Sequence, residues 1–221
     1  MQFVYDGRAG QEALLFEGDS FAHLVKSRRS RVGEALHVRN LQEPIEYVYQ
    51  LESISRNKAH ALLKATTPLV LPSLHSLSVG WAMVEQKTVE KALPMLNEMG
   101  VRKIVFVKSD YAQGNVKMDF ARLERMVISS CQQCGRSDLL VWEESPSVAA
   151  WLEANPEGVV VDFSPNRLGS QKPTAFLVGC EGGFSPKERA LFEKRTVVGL
   201  DSPYILRSES AVVAMASKIL T

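Results

Sequence analysis

Long apolar runs are missing from this 221-residue chain. No stretch approaches the roughly 18 consecutive apolar side chains that a membrane helix needs. The opening MQFVYDGRAG also lacks the charged-then-apolar pattern of a secretory signal. A soluble protein of the cytoplasm, with no membrane partner, is the expectation. Cysteine is scarce: Cys131, Cys134 and Cys180 make an odd number, which suits reduced thiols better than a framework of bridges. Histidine is confined to His23, His37, His60 and His75. Beyond His75 the chain therefore offers no imidazole to activate a serine nucleophile or to complete a zinc site around the single C-x-x-C of CQQC, residues 131–134. That pair should also lie late in a helix, away from the N-terminal dipole that lowers a thiol pKa, so packed thiols and no metal are expected. A net charge of +1 supplies no global basic field.

What is present falls into two patterns. Up to about residue 67 the chain reads as short strands: FVY, ALLF, EALHVRN, IEYVYQLESIS and KAHALLKA. DSFAHLVKS interrupts them as a short helix capped by Asp19 or Ser20, with Phe21, Leu24 and Val25 on one face. Many short strands in so few residues predict a compact β-barrel. TTPLVLPSLHS, residues 66–76, has the prolines and small polar residues of a linker, and the boundary is placed there, giving domains 1–70 and 71–221. Beyond it strands alternate with helices of ten to fifteen residues, from LSVGWAM to the closing helix SESAVVAMASKIL. That alternation predicts an α/β domain with a parallel sheet covered on both faces. Pro94 should kink or split the first of its helices. Met95, Met99, Met118, Met126 and Met215 read as core fillers, and Trp81, Trp142 and Trp151 as buried.

Three motifs carry chemistry. LVGCEGGFSPKE, residues 177–188, is a strand breaking into glycines that let a ligand approach the backbone, followed by a helix start with Ser185 as cap, Pro186 at the first position and Glu188 closing a capping box. The spacing is neither G-x-G-x-x-G nor a P-loop, and Glu181 among the glycines would repel a polyphosphate. A nucleoside with a cationic centre would tolerate it, and S-adenosylmethionine is such a ligand. ILRSESA, residues 205–211, sets Arg207 and Glu209 about a helix start for which Ser208 is an ordinary cap. In an open parallel sheet both motifs belong at the carboxyl ends of the strands, where ligands bind. HLVKSRRSRVGE, residues 23–34, concentrates Lys26, Arg28, Arg29 and Arg31 as a phosphate-contacting surface would, although a cationic helix end is favourable by itself. Gln133 and Arg136 of CQQCGRS, residues 131–137, should end a helix at the same crevice.

Taken together, LVGCEGGFSPKE, ILRSESA, the HLVKSRRSRVGE segment, NEMGV and QQCGRS are similar, in order and over nearly the whole chain, to the signatures of the RsmE family, bacterial methyltransferases acting on uridine N3 of 16S ribosomal RNA. The resemblance implies a PUA-like β-barrel followed by a SPOUT domain whose C-terminal end forms a trefoil knot, a homodimer, and S-adenosylmethionine held in the knot. It places the cofactor against Leu177, Val178, Gly179, Glu181, Gly182, Gly183, Leu200, Tyr204, Ile205 and Leu206. The small-subunit RNA would meet His23, Lys26, Arg28, Arg29, Arg31 and Arg136. Arg207 would stabilise the uracil anion, and Glu209 or Glu181 would accept the N3 proton. The chain departs from the family pattern where Cys180 stands for a proline, Asp201 or Ser202 for a glycine, Met95 for a lysine and Ser210 for a threonine, and where a basic residue of the family pattern near Glu85 is absent. Rival readings are methylation at another RNA site, such as a ribose 2′-oxygen, and an rRNA-binding factor without catalysis.

Overall fold

The computed structural model describes residues 3–69, 76–112 and 116–221. They fall into two compact units. One holds the residues up to 69 together with Ile128–Leu139, and the other holds those from 76 to Val127 together with Leu140–Thr221. The predicted boundary and most of the predicted linker lie outside the described residues.

Five strands form the sheet of the first unit: β1 (Val4–Tyr5), β2 (Ala13–Glu17), β3 (Ala35–Arg39), β4 (Ile45–Ile54) and β5 (Lys58–Pro68), in the order β1-β3-β4-β5-β2. The β5 strand runs through Thr66 and Thr67, so the first residues assigned to the linker are paired with β4 instead. Alternation sets the core face. Leu14 and Phe16 are buried where Leu15 and Glu17 are exposed, and Tyr47, Tyr49 and Leu51 repeat the period on β4. Ala61 sits opposite both Leu14 and Leu51, where a larger side chain would have no room between two leucines.

The predicted short helix is present but begins two or three residues earlier than expected, with its cap at Glu17 in place of Asp19 or Ser20. Helix α1 (Gly18–Phe21) has Glu17 as its N-cap residue without a side-chain cap bond, and continues as a π-helical turn over Ala22–Ser27. Asp19 and Ser20 therefore lie inside the first turn. The Ser20 hydroxyl donates back to the Glu17 carbonyl, the local competition that makes serine a weak helix former. Phe21 and Leu24 are buried and Val25 packs against the same cluster, as their spacing predicts.

The second unit has a six-stranded, wholly parallel sheet. Its strands are β6 (Ser78–Ala82), β7 (Lys103–Val107), β8 (Val141–Ser145), β9 (Val159–Val161), β10 (Ala175–Val178) and β11 (Val197–Val198), ordered β11-β9-β10-β6-β7-β8. The β9 and β10 strands are buried at every position, the mark of a sheet covered on both faces. Helices α2 (Gln86–Met99), α3 (Phe120–Cys134), α4 (Val148–Ala154), α5 (Pro186–Ala190) and α6 (Ser208–Leu220) complete the chain. α2 buries Val89, Ala92, Leu93 and Leu96 and ends on Gly100 at φ 92°. It is not split at Pro94, which lies inside it. α2 packs on α6, whose Val212, Met215, Ala216 and Ile219 are buried. Trp81, Trp151 and Met215 are in the core as expected, but Met95 is 43% exposed on the outer face of α2. Cys131 is buried and Cys134 exposed, so only one thiol of the pair packs inside.

The second half of α3 packs with the first unit. The Gln132 side chain accepts the Tyr5 backbone N–H at 2.8 Å. Arg39, 8% exposed, donates to the Gly135 carbonyl at 2.9 Å and the Ser137 hydroxyl at 2.8 Å, and pairs with Glu46 at 2.7 Å. A buried guanidinium requires such a complete set of acceptors. It also lies 4.5 Å over the Phe3 ring.

Candidate functional site

The carboxyl ends of β9, β10 and β11 and the start of α6 line one cleft of about 560 Å³. That is the size of a small-molecule pocket.

Its first wall is the glycine loop after β10. The Gly183 N–H closes on the Cys180 carbonyl at 2.9 Å, with Gly183 at φ 69°, a left-handed conformation that suits glycine. A Cβ added at Gly179 would lie 3.0 Å from the Gly183 Cα, so the two glycines permit the close turn. The loop is fastened at its far end by the predicted capping box. The Ser185 hydroxyl accepts the Glu188 N–H at 3.1 Å, and the Glu188 carboxylate accepts the Ser185 N–H at 2.9 Å. Glu188, 6% exposed, accepts a second backbone N–H from Asp110, and Ser185 donates to the Asp110 carboxylate. These bonds fix the loop after β7 to the same helix start.

The second wall is the segment from Gly199 to Arg207. Asp201, one of the two residues expected at a family glycine's position, is gripped by Arg167 and by Lys218, the latter at 2.9 Å. Those two cations, chiefly through their hydrogen bonds, hold its carboxyl below the ordinary range. Ser202 folds the chain locally: its hydroxyl accepts the Tyr204 N–H at 3.1 Å and donates to the Tyr204 carbonyl at 2.8 Å. The departures at 201 and 202 thus each have a defined structural use.

A third wall escaped sequence reasoning. Val161, Asp162, Phe163, Ser164 and Arg167 follow β9 into the cleft. The signal was available, since GVVVDF ends at the carboxyl edge of a parallel strand like the other two walls. Asp162 accepts two bonds from Arg189 at 2.7 and 3.2 Å, which hold the guanidinium pKa up and tie this wall to α5.

Of the sequence-predicted cofactor residues, Val178, Gly179, Glu181, Gly182, Gly183, Leu200, Tyr204, Ile205 and Leu206 line the cleft, while Leu177 is wholly buried beneath it in the core. Arg207 and Glu181 are exposed in the cleft, and neither side chain has a hydrogen-bond or ion-pair partner among the described residues. Glu209 does not line it. Its side chain is 15% exposed and turned to Lys91 of α2 at 3.6 Å. Ser208 is not the cap: Arg207 holds that position, and Ser208 is the first helical residue, 5% exposed.

In the first unit His23, Lys26, Arg29 and Arg31 are exposed together. Arg28 differs: its guanidinium donates to the Phe3 carbonyl at 2.8 Å, and burial lowers its pKa. Arg136 differs more. Its side chain is 8% exposed and paired with Asp138 at 2.9 Å. Among the described residues no cluster of three or more His, Cys, Asp or Glu could hold a metal, and no helix is long and apolar enough to cross a membrane.

A family model of the RNA methyltransferase domain matches residues 72–220. Two curated relatives from strains of Helicobacter pylori, each called ribosomal RNA small subunit methyltransferase E, are 36% and 38% identical to the chain, with 98% of each sequence covered. The chain belongs to the RsmE family of RNA methyltransferases. The crystal structure of a Neisseria gonorrhoeae RsmE bound to S-adenosylmethionine superposes with a TM-score of 0.79 at 21% identity, covering 99% of this chain and 96% of that one. Fold likeness at such low identity shows how durable the RsmE architecture is.

Proposed function

We propose that this RsmE chain transfers a methyl group from S-adenosylmethionine to N3 of a specific uridine in 16S ribosomal RNA, in the cytoplasm. The observation that carries the reading is the presence of two oppositely charged side chains, Arg207 and Glu181, neither partnered among the described residues, in one cleft floored by glycine backbone. The residues suit the cofactor. Val161, Val178, Leu200 and Leu206 give apolar walls for a purine, the glycines leave backbone groups within reach of its polar edge, and Glu181 complements a cationic centre. Arg167, the other cation of the cleft, is committed to Asp201, so no cluster of free cations invites a polyphosphate.

When bound, the cofactor supplies an electrophilic methyl carbon. The chain's residues do the rest by positioning and charge. Arg207 stabilises the negative charge that develops on uracil as N3 loses its proton. Two acids line the cleft; Asp162 is committed to Arg189 and Glu209 is turned to Lys91, so Glu181 is assigned as acceptor of that proton. N3 lies on the pairing edge, so the uridine enters unpaired or flipped. His23, Lys26, Arg29 and Arg31 hold the RNA by phosphate contacts that orient without reading sequence.

The proposal extends to the architecture. Residues 1–70 are assigned as a PUA-like barrel and 71–221 as a SPOUT domain with a C-terminal trefoil knot, acting as a homodimer. Support for the knot comes from the close approach of two segments. The Gly199 N–H donates to the Asn166 carbonyl at 2.8 Å, and the first residue of α6 is bonded beneath the glycine loop. Support for the dimer comes from Tyr204 and Ile205, each 81% exposed.

The test is mass mapping of 16S RNA from cells lacking the gene, before and after return of the wild-type or Arg207→Ala protein. N3-methyluridine should vanish, return with the wild type and stay absent with the variant. Its persistence in the deletion would overturn the assigned reaction.

A further inference from the structure

Ser208 was expected to be a helix cap, and its hydroxyl does something else. The Trp81 indole N–H, at the carboxyl end of β6, donates to the Ser208 Oγ at 2.7 Å, and that hydroxyl donates to the Gly179 carbonyl at 2.7 Å. The direction of this chain of bonds is forced. An indole N–H can only donate, a hydroxyl has one hydrogen, and a carbonyl can only accept. Trp81 is fully buried, Ser208 is 5% exposed and Gly179 is buried, so water cannot replace either bond without a local opening.

We propose that Ser208 is a positioning residue that sets the register of α6, and with it Arg207, against the glycine loop. Arg207 is the N-cap residue immediately before Ser208, and its carbonyl accepts the Ala211 N–H at 2.9 Å in the first turn. Gly179 follows β10 and opens the loop that carries Glu181. One hydroxyl therefore joins the backbone bearing the cation to the backbone bearing the acid. The inference rests on the functional reading above only for its effect on turnover.

The test uses full-length Ser208→Ala, Ser208→Thr, Trp81→Phe and the Ser208→Ala/Trp81→Phe pair, and it separates register from stability. Ser208→Ala leaves the indole donor and the carbonyl both unpaired. Trp81→Phe in that background removes the orphaned donor, so melting temperature should partly recover while the register bond stays broken. Methyltransfer kcat should fall about tenfold to a hundredfold in Ser208→Ala, in line with the sensitivity of positioned reactions to small displacements. It should stay low in the pair, remain within about threefold of wild type in Trp81→Phe, and be restored by threonine. The KM for RNA should not change in any of them. Amide exchange at Ala211, read without cofactor, should lose protection in Ser208→Ala and in the pair but not in Ser208→Thr.

Unchanged Ala211 exchange in Ser208→Ala, or kcat that follows melting temperature across the set, would overturn the inference. If Trp81→Phe does not fold, the alanine and threonine variants carry the same comparison. A wild-type protein that shows the expected exchange pattern but no methyltransfer keeps the register and sinks the assigned reaction instead.

Discussion

At Gly199 an added Cβ would stand 2.2 Å from the Ser164 carbonyl oxygen and 3.0 Å from the Arg167 guanidinium. The first of these is backbone and cannot swing aside. Gly199→Ala should therefore destabilise the protein by about 1–3 kcal/mol, as overpacking does, and should displace the Asp201 clasp beyond it. Thermal melting and cofactor titration by calorimetry check both effects, and an unchanged melting temperature would contradict the close approach. Asp201→Asn, by contrast, should cost little stability, because the clasp is exposed and such pairs are screened. Its expected sign is a cofactor affinity less dependent on salt than that of the wild type. Neither role was legible in the sequence. Asp201 read only as a departure from a family glycine, since its partners lie 34 and 17 residues away.

The capping box of α5 was legible because all its partners lie within four residues, and S-P-K-E states each role in order. Replacing Ser185 by alanine should lower stability by about 1–2 kcal/mol, the usual cost of a lost cap. It should also loosen the loop after β7, whose Asp110 loses the serine donor. Denaturant unfolding and exchange at the Asp110 amide measure the two effects, and a loss confined to α5 would refute the link. Strands β2 and β4 and helix α2 were legible for the same local reason, through periods of two and 3.6. The start of α1 was not, because Asp19 and Ser20 are good caps in isolation, yet Phe21 and Leu24 must reach the core and the helix starts two or three residues further back. Ser208 misled in the same way: its long-range partners, Trp81 and Gly179, are 127 and 29 residues distant.

Two electrostatic features act on the molecule as a whole. Burial opposes ionisation of Glu46, but hydrogen bonds from Arg39 and His37 outweigh it and hold its carboxyl below the ordinary value. A depressed carboxylate stabilises the fold above its unfolded pKa of about 4.3, and this contribution is lost as pH falls through the lower, folded value. Acid unfolding followed by circular dichroism should show that limb, and Glu46→Gln should flatten it while costing about 2–3 kcal/mol at neutral pH for the charged bonds lost. A Glu46→Gln protein with the wild-type acid profile would assign the limb to other groups. On the surface, Lys26, Arg29 and Arg31 are exposed and close in sequence. Changing all three to alanine should weaken RNA binding and reduce the slope of log K against log salt by about 2, at roughly 0.7 per phosphate contact for single strands. An unchanged slope would place the RNA elsewhere. The charged segment was visible from its sequence, whereas the retirement of Arg28 and Arg136 into structural bonds was not, because burial is a property of the fold.

The distribution of α3 between the units bears on how the protein is made. Residues 128–139 belong with the N-terminal strands, supplying the acceptors for Tyr5 and for the buried Arg39. As the polypeptide leaves the ribosome, those strands emerge first but lack these partners until about seventy more residues have been synthesised. At roughly 5–20 residues per second the wait is several seconds. Arg39 must spend that interval without its Gly135 and Ser137 acceptors, with the first unit incomplete although all five strands of its sheet have been made. Folding of this protein during translation is therefore expected to close its first unit late, and a nascent chain arrested before residue 128 should remain sensitive to proteases at strands that are protected once residue 139 is out.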